Sequence, residues 1–357
     1  MNTRVCTWLV WLALVPALTA AADMDTVEFA SAVVGQDMRY LVVKPTDYED
    51  RVASGHRYPV VYLLHCAGCT DLYWCSDYYG DIDGAIDSFD MIIVAPYDGG
   101  TGGDYRWWLD SPKRSQLQLA TYVVDELRSR IDSAYATYSG PMNTALAGHS
   151  MGGFGSLHLL IEYPDVFGIA VPIKAGVDLR YPLNPSWGGA FNLTNLLGTE
   201  PADSVYWQRV NVLRNAHKLQ GRDIALRMYN GLQDRWFAEE NAYLDTLLDS
   251  LGIDHEHFGL DEDHFDVAPS VMREVLGFID TSFARQAIAV APRRGAVQPE
   301  LRNGPAAGRP ERNADRLYDL KGIRLRGDGR GTAAGVYVSR SPWGTVTVMS
   351  PWRFGCP

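Results

Sequence analysis

Two hydrophobic patterns alternate along residues 23–280. Five short, nearly continuous apolar runs are typical of strands buried on both faces of a parallel sheet: YPVVYLL, MIIVAP, TALAG, GIAVPI and DIALRMYN. Segments with apolar residues three and four positions apart predict helices between and after these strands: QLQLATYVVDELRSRI, GFGSLHLLIEYP, RWFAEENAYLDTLLDSLG and APSVMREVLGFIDTSFA. Because strands and helices alternate, the pattern predicts an α/β fold, with a mostly parallel sheet and helices on both of its faces.

Two segments near the start follow a period-two pattern instead. TVEFASAVV and MRYLVVKP alternate apolar and polar residues, which predicts an antiparallel pair of strands at one edge of the sheet. Residues 23–284 are numerous enough to bury a sizeable core, so we assign them to a single α/β domain.

The first 22 residues have a composition of their own. Arg4 precedes an apolar run over residues 5–18, and a group of small residues ends at Ala22. The run is too short to span a bilayer comfortably, and an Ala-rich end is typical of a signal-peptide cleavage site. We therefore expect a signal peptide over residues 1–22, cleaved near Ala22, and a secreted, periplasmic or cell-surface protein without a membrane span.

The C-terminal part differs from the body in charge. Residues 281–357 hold 13 Lys and Arg against 5 Asp and Glu; the whole chain's 32 and 43 therefore leave 18 and 38 for residues 23–280, once Arg4 is set aside. Residues 285–315 are rich in Ala, Pro, Gly and Arg, which predicts a linker, and residues 316–357 contain short β-favouring runs, which predict a small β-rich domain. The arginines carry no RNA-binding signature, so no nucleic-acid partner is predicted.

The β-rich domain contains the sequence YDLKGIR, followed by GVYV. These residues resemble the C-terminal sorting domains of type IX secretion cargo, in which YDL-x-G-R-R precedes a strand of the form G-x-Y-[IV]. Ile323 stands where that pattern has Arg. The resemblance implies that the tail has a secretion machinery as its partner.

One short motif in the body carries chemistry. Gly148-His149-Ser150-Met151-Gly152 lies between the predicted strand TALAG and the predicted helix GFGSLHLL. This is G-x-S-x-G in the strand–turn–helix setting that lifts a serine hydroxyl out at the carboxyl edge of a sheet. The glycines suit a turn that is too tight for side chains, and N–H groups at a helix start face negative charge. The motif predicts Ser150 as a nucleophile.

A serine nucleophile needs a base, and the base needs an orienting acid. Asp234 follows the strand IALRMYN in the segment GLQD, and His264 follows the strand DHEHFGL in the segment DEDHF. Both positions are loops at the carboxyl edge of the sheet, in the chain order serine, acid, histidine. We predict Ser150, Asp234 and His264 as catalytic residues; Asp234 is preferred among the aspartates because its strand end is expected beside that of the nucleophile.

These motifs together resemble the esterase branch of the α/β-hydrolases, which includes esterase D, S-formylglutathione hydrolase, feruloyl esterases and the mycolyltransferases. The matching segments are, in order, PVVYLLH, WWLDSP, DEL, GHSMGG, GLQD and GIDH. The resemblance implies an α/β-hydrolase fold and ester hydrolysis through an acyl-enzyme at Ser150. It also implies an oxyanion hole made by the backbone N–H groups of Ala67 and Met151, with Cys66 in the place of the family's usual glycine.

The expected substrate is an ester linked to a carbohydrate or a phenolic acid. Trp107, Trp108 and His149 are predicted to contact it, since aromatic faces stack on sugars and phenolic acids. The predicted export favours acyl or feruloyl esters of extracellular polysaccharide over a cytosolic thioester. An acyltransferase that moves the acyl group to a sugar hydroxyl is the alternative with the same chemistry.

Three cysteines, Cys66, Cys69 and Cys75, lie close together after the strand VVYLL. In an exported protein we expect one disulfide among them, and the sequence leaves the pairing open. A rival interpretation from another class is a redox protein built on Cys66 and Cys69, or a zinc site completed by His65 and Cys75. Four ligands in one tight loop have poor geometry, so we predict neither a metal nor a cofactor.

Overall fold

The computed structural model describes residues 22–290, apart from 77–78, 102, 180–190, 192 and 200–201, together with three short strands nearer the C-terminus. The predicted signal peptide, up to residue 21, and the predicted linker beyond residue 290 lie outside the described residues. Within these described residues the body contains eight strands: β1 (Asp23–Ala30), β2 (Asp37–Lys44), β3 (Val60–Leu64), β4 (Ile92–Pro96), β5 (Thr144–His149), β6 (Ile169–Ile173), β7 (Ala225–Gly231) and β8 (Glu256–Leu260).

All eight strands form one sheet in the order β1-β2-β4-β3-β5-β6-β7-β8. The first two pair antiparallel at the edge, β2 pairs antiparallel with β4, and the remaining pairings are parallel. The predicted edge pair and the predicted mostly parallel sheet are both confirmed.

Helices fill the connections between the strands. They are α1 (Tyr48–Ala53), α2 (Ile82–Ala85), α3 (Leu119–Thr121), α4 (Arg128–Ala134), α5 (Met151–Glu162), α6 (Leu193–Leu197), α7 (Ser204–Val210), α8 (Val212–Asn215), α9 (Ala238–Leu251) and α10 (Pro269–Val290). A π-helical segment, Tyr122–Leu127, joins α3 to α4, and short 3₁₀ turns cover Asp71–Cys75, Ile86–Ser88, Pro141–Asn143 and Ala216–Leu219. Helix α10 continues to Val290, beyond residue 285 where the sequence predicts the linker to begin.

The hydrophobic core lies in two layers, one on each face of the sheet. In β3, Val60, Tyr62 and Leu64 pack in the layer that contains α5 and α9, whereas Val61 and Leu63 pack in the layer that contains α2 and α10. Alternate residues of a strand point to opposite faces, so a strand covered on both sides must be apolar throughout. The prediction of helices on both faces is therefore confirmed.

Three further strands, β9 (Leu317–Tyr318), β10 (Tyr337–Arg340) and β11 (Val346–Met349), form a small antiparallel sheet. They coincide with three of the β-favouring runs of residues 316–357, namely LYDL, GVYVS and TVTVM, although β10 extends one residue past GVYVS; a fourth run, IRL, lies outside the described residues. The likeness of this segment to type IX sorting domains stays a prediction. Among the helices that the structure describes, none has both the length and the apolar character needed to cross a bilayer.

Candidate active site

Ser150 lies in the turn between β5 and α5. Its backbone angles are φ 57° and ψ −112°, a conformation that residues with a side chain rarely adopt. Gly152 allows α5 to start this close to β3, because a Cβ at that position would be 2.0 Å from the carbonyl oxygen of Leu64. The turn places Ser150 at the N-terminus of α5, where the first N–H groups have no partner within the helix. This is the strand–turn–helix geometry that the sequence predicts.

The structure brings together the three residues predicted as a catalytic group. Nε2 of His264 lies 2.9 Å from Oγ of Ser150, and Nδ1 of His264 lies 2.8 Å from Oδ2 of Asp234. A carboxylate only accepts, so Nδ1 carries the hydrogen and Nε2 presents a lone pair to the serine hydroxyl. All three side chains are at least nine-tenths buried. The arrangement is that of a nucleophile, a base and an orienting acid.

Asp234 is held by its own turn as well as by the histidine. Its Oδ1 accepts hydrogen bonds from the backbone N–H groups of Trp236 and Phe237, at 2.8 and 3.1 Å. These bonds leave Oδ2 to face His264, so the carboxylate has one orientation. The expectation that its strand ends beside that of the nucleophile is wrong, because β6 lies between β5 and β7. Asp234 follows β7 and His264 follows β8, and these two strands are neighbours at the end of the sheet, so the two side chains can meet.

The oxyanion loop, residues 65–70, follows β3. The carbonyl oxygen of Cys66 accepts from Nδ1 of His65 at 2.8 Å and from the Cys69 N–H at 3.1 Å. In a planar trans peptide the C=O and the following N–H point in opposite directions, so these two bonds turn the Ala67 N–H away from the loop interior. The Ala67 N–H takes no part in the loop hydrogen bonds of the described residues. This orientation supports the predicted donor role of Ala67.

His65 anchors the start of this loop. Its Nε2 accepts from the backbone N–H of Asp98 at 3.2 Å, so Nδ1 carries the hydrogen that it donates to Cys66. Burial lowers the pKa of His65, which keeps the ring neutral and preserves that tautomer. The second predicted donor, the N–H of Met151, is the first of α5 and faces out of the helix end.

One disulfide forms among the three candidate cysteines. Cys66 and Cys69 are joined by a disulfide, and Cys75 is a free thiol whose pKa is raised to about 12 by burial. The expected local disulfide is therefore present. The zinc interpretation does not fit, because two of its four ligands are bonded to each other and both nitrogens of His65 are occupied. Cys66 and Cys69 precede the 3₁₀ turn Asp71–Cys75 and do not lie at the start of an α-helix, where a redox dithiol would be expected.

The prediction that Trp107 and Trp108 contact the substrate is wrong. Both are buried, at 1% and 0% exposure, and both have positive φ angles. Nε1 of Trp108 donates to the carbonyl oxygen of His65 at 3.2 Å, and Nε1 of Trp107 donates to that of Phe191 at 2.9 Å. Trp108 packs on α5 at Gly155, where a Cβ would come within 2.7 Å of it. Trp108 therefore supports the start of the oxyanion loop, and Trp107 supports the backbone at Phe191.

His149 does not contact substrate either. It is 2% exposed, and both of its ring nitrogens are engaged. Nδ1 lies 3.0 Å from the Tyr73 hydroxyl, and Nε2 lies 2.7 Å from the carbonyl oxygen of His264. As the last residue of a strand buried on both faces, it points into the protein behind the base.

Several residues around the base escape the motif analysis. The ring centroid of Trp236 lies 4.7 Å from that of His264. The ring centroid of Phe265 lies 4.9 Å from that of Trp236, and Phe265 is 56% exposed. Lys174, fully buried directly after β6, donates from Nζ to Oε2 of Glu262 at 2.9 Å and to the carbonyl oxygen of Asp266. A lysine that interrupts the apolar run GIAVPIKAGV is the sequence signal for such a contact, since buried lysines require partners.

Comparisons with known proteins find similarity to esterases. The family model described as "Putative esterase" matches residues 31–245. Esterase MT1326 of Mycobacterium tuberculosis is 30% identical over 155 residues, which are 43% of this chain and 32% of that protein. S-formylglutathione hydrolase of Arabidopsis thaliana is 23% identical over 226 residues, 59% of this chain and 74% of that protein. The endo-1,4-β-xylanase/feruloyl esterase of Xylanibacter ruminicola is 29% identical over 155 residues, 41% of this chain and 20% of that protein.

Solved structures share the fold of the body. A ferulic acid esterase aligns with a TM-score of 0.56 at 19% identity, covering 73% of this chain and 99% of that one. An S-formylglutathione hydrolase from Agrobacterium tumefaciens aligns with a TM-score of 0.60 at 17% identity, covering 74% and 96%. The body therefore has the α/β-hydrolase fold. The match to the mycobacterial esterase spans about a third of that relative's length.

Proposed function

The chain belongs to the esterase family, and from this premise we propose that it is a serine carboxylic-ester hydrolase that works through an acyl-enzyme at Ser150. The observation that carries the proposal is the continuous hydrogen-bonded line from Oγ of Ser150 through His264 to Asp234. Each member is buried, and the carboxylate has its remaining oxygen satisfied by backbone N–H groups.

In the proposed acylation, Nε2 of His264 takes the proton of Ser150 as Oγ attacks the ester carbonyl carbon. The carbonyl oxygen becomes an oxyanion, which the N–H groups of Ala67 and Met151 stabilise. Each such donor contributes about 3 kcal/mol to the transition state in comparable sites. The alcohol then leaves with the proton that His264 holds, and the acyl group remains on Ser150.

In the proposed deacylation, water takes the place of the alcohol. His264 accepts a proton from water, the hydroxide attacks the acyl-serine, and the same two N–H groups stabilise the second oxyanion. Collapse returns the proton to Ser150 and releases the acid. The Asp234 carboxylate orients His264 and stabilises the imidazolium that forms in each half of the cycle.

For the substrate we propose acyl or feruloyl esters of polysaccharides. The proposal is supported by a relative named as a feruloyl esterase and by the similarity to a ferulic acid esterase structure. It is also supported by the aromatic surface beside the base, since Trp236 and the exposed Phe265 contact the ring of His264, which protonates the departing alcohol in the proposed mechanism. Export through the predicted signal peptide, and contact of the tail with a secretion machinery, are part of the same proposal.

Replacement of the nucleophile tests the proposed mechanism. We expect Ser150→Ala to abolish turnover of p-nitrophenyl acetate without changing the melting temperature, because the hydroxyl makes the covalent bond and little packing is lost. Ser250→Ala, at an exposed position of α9, is the matched control and should retain full activity. Activity retained by Ser150→Ala would overturn the proposal.

A substrate panel tests the second part. Acetylated xylan, methyl ferulate and p-nitrophenyl esters of rising chain length, compared by kcat/KM, locate the preferred acyl group. Adding a free sugar and analysing the products separates hydrolysis from transfer. A preference for glutathione thioesters over every oxygen ester would contradict the polysaccharide assignment while leaving the acyl-enzyme intact.

A further inference from the structure

Two side chains behind the base link it to the oxyanion loop. The Tyr73 hydroxyl lies 3.0 Å from Nδ1 of His149, and Nε2 of His149 lies 2.7 Å from the backbone carbonyl oxygen of His264. Tyr73 belongs to the 3₁₀ turn Asp71–Cys75, which directly follows the oxyanion loop, and its ring is nearly parallel to that of His149. The proposed acylation and deacylation steps use neither Tyr73 nor His149.

The partners fix where the hydrogens lie in this chain. A carbonyl oxygen only accepts, so Nε2 of His149 carries a hydrogen and donates it to His264. Nδ1 then has a lone pair, which accepts from the Tyr73 hydroxyl. Burial is the main reason that the pKa of His149 lies well below its ordinary value, and the nearby His264 lowers it further. Burial also raises the pKa of Tyr73. Both groups are therefore uncharged, and the direction of each hydrogen bond is set.

Lys174 also anchors the loop that carries the base, but its two contacts lie before and after His264 and not at His264 itself. Lys174 binds the side chain of Glu262 and the carbonyl oxygen of Asp266, so it holds the loop before and after the base. His149 alone among these anchors bonds to the backbone of His264 itself. Rotation of that peptide would swing the imidazole relative to Oγ of Ser150, because the side chain leaves from the same residue.

We propose that His149, oriented by Tyr73, is a positioning residue that fixes the backbone of His264 so that its imidazole meets Ser150. The role rests on the proposed function, since it takes His264 as the base. It also gives a role to the residue before the nucleophile. Strand β5 ends at His149, which holds the backbone of the base, and the next residue is Ser150, which the base activates. One strand end thereby sets both partners of the proton transfer.

A pair of substitutions at His149 separates this role from simple filling of space. The amide nitrogen of glutamine reaches the place of imidazole Nε2, whereas that of asparagine reaches the place of Nδ1. His149→Gln thus keeps the donor to the His264 carbonyl, and His149→Asn loses it. We expect kcat for p-nitrophenyl acetate to fall about 100-fold in His149→Asn, the effect of a misplacement near 1 Å, and about threefold in His149→Gln, with KM little changed in both.

The base acts in both halves of the cycle, so in His149→Asn the acylation burst and the steady-state rate should fall together. Tyr73→Phe leaves the strand end untouched and should lower kcat about threefold at unchanged KM, because His149 loses the donor that orients it. His217→Asn and His217→Gln, at an exposed histidine bonded to the Arg214 carbonyl, are the matched controls and should keep wild-type rates.

Labelling of Ser150 with a fluorophosphonate separates the two proposals. If the wild-type protein is not labelled, the proposed function fails. If it is labelled and the two His149 variants have equal kcat, the positioning role fails while the function stands. Should both His149 variants unfold, Tyr73→Phe decides: a fall in kcat at constant KM supports the role, and an unchanged kcat overturns it.

Discussion

Substitution of Gly152 by alanine tests whether the oxyanion loop and α5 must touch. An added Cβ would lie 2.0 Å from the carbonyl oxygen of Leu64 and 2.9 Å from that of His65, the two carbonyls that lead into the loop. Ordinary contact begins near 3.4 Å, so α5 and the end of β3 must separate by about 1.4 Å. Neither atom belongs to a flexible side chain, so the backbone itself has to move.

The movement acts directly on the proposed site. It displaces the Ala67 N–H relative to that of Met151, and a shift of about 1 Å in such a site costs about 100-fold in rate. Overpacking of this kind also lowers the free energy of unfolding by about 1–3 kcal/mol. We therefore expect Gly152→Ala to lose at least that factor in kcat/KM while remaining folded under mild conditions.

The assay combines p-nitrophenyl acetate kinetics with urea unfolding. Gly277→Ala is the matched control, because that glycine lies inside α10 and an added Cβ would meet only Phe89, at 3.9 Å. Alanine there should leave activity unchanged and raise stability by up to about 1 kcal/mol through helix propensity. If Gly152→Ala kept kcat/KM within threefold of wild type, the requirement for close contact between α5 and the oxyanion loop would be refuted.

Two further predictions concern the cysteines and a buried ion pair. Cys69→Ser opens the disulfide and should lower both kcat and the free energy of unfolding, the latter by about 2 kcal/mol for so short a loop. Cys75→Ser is its control, and unchanged kcat and stability in Cys69→Ser would exclude a bracing role. Oδ1 of Asp245 contacts Nε2 of His255 at 3.0 Å and Nδ1 of His257 at 3.1 Å. Although burial opposes both shifts, the hydrogen bond to Asp245 raises the pKa of His255, and the hydrogen bonds from the two histidines lower the pKa of Asp245. The stabilisation from His255 is complete below its unfolded pKa of about 6.5 and disappears as pH rises through the higher folded value, and that from Asp245 is lost as pH falls below about 3.9. Asp245→Asn should therefore destabilise more at pH 5.5 than at pH 9 in urea unfolding, and an equal effect at both would contradict the pairing.

The sheet could be predicted from the sequence because its physics is local. A strand such as Val60–Leu64, covered on both faces, has to be apolar at every position, whereas β1 at the edge of the sheet alternates between exposed and partly buried residues. Helices α6 and α7 lie between β6 and β7 and have only five and seven residues, so their apolar positions extend over too few turns to predict a helix from the sequence. Their positions depend on packing against residues that are distant in the chain.

The motif residues could be predicted, but their supports could not. G-x-S-x-G names Ser150 because chemistry demands that residue at the apex of that turn. The assignment of Trp107 and Trp108 to the substrate rests on the stacking chemistry of aromatic rings, and it is wrong because a sequence does not distinguish an exposed indole from a buried one. Gly155 holds the missing information: the absence of its side chain makes room for Trp108. Only the packing of two segments far apart in sequence reveals it.

The oxyanion loop shows how this chain can carry a cysteine where relatives of the family usually have glycine. The left-handed position of the turn is taken by Gly68, with φ 77°, and Cys66 is not among the described residues with positive φ. What the loop requires of residue 66 is a carbonyl oxygen held by two donors, which His65 and Cys69 supply. Cysteine meets that requirement and adds a bond to Cys69, so the substitution ties together the two residues whose hydrogen bond aims the Ala67 N–H. A serine at position 66 should keep the carbonyl contacts and lose only the covalent tie, so it should reproduce the phenotype of Cys69→Ser and no more.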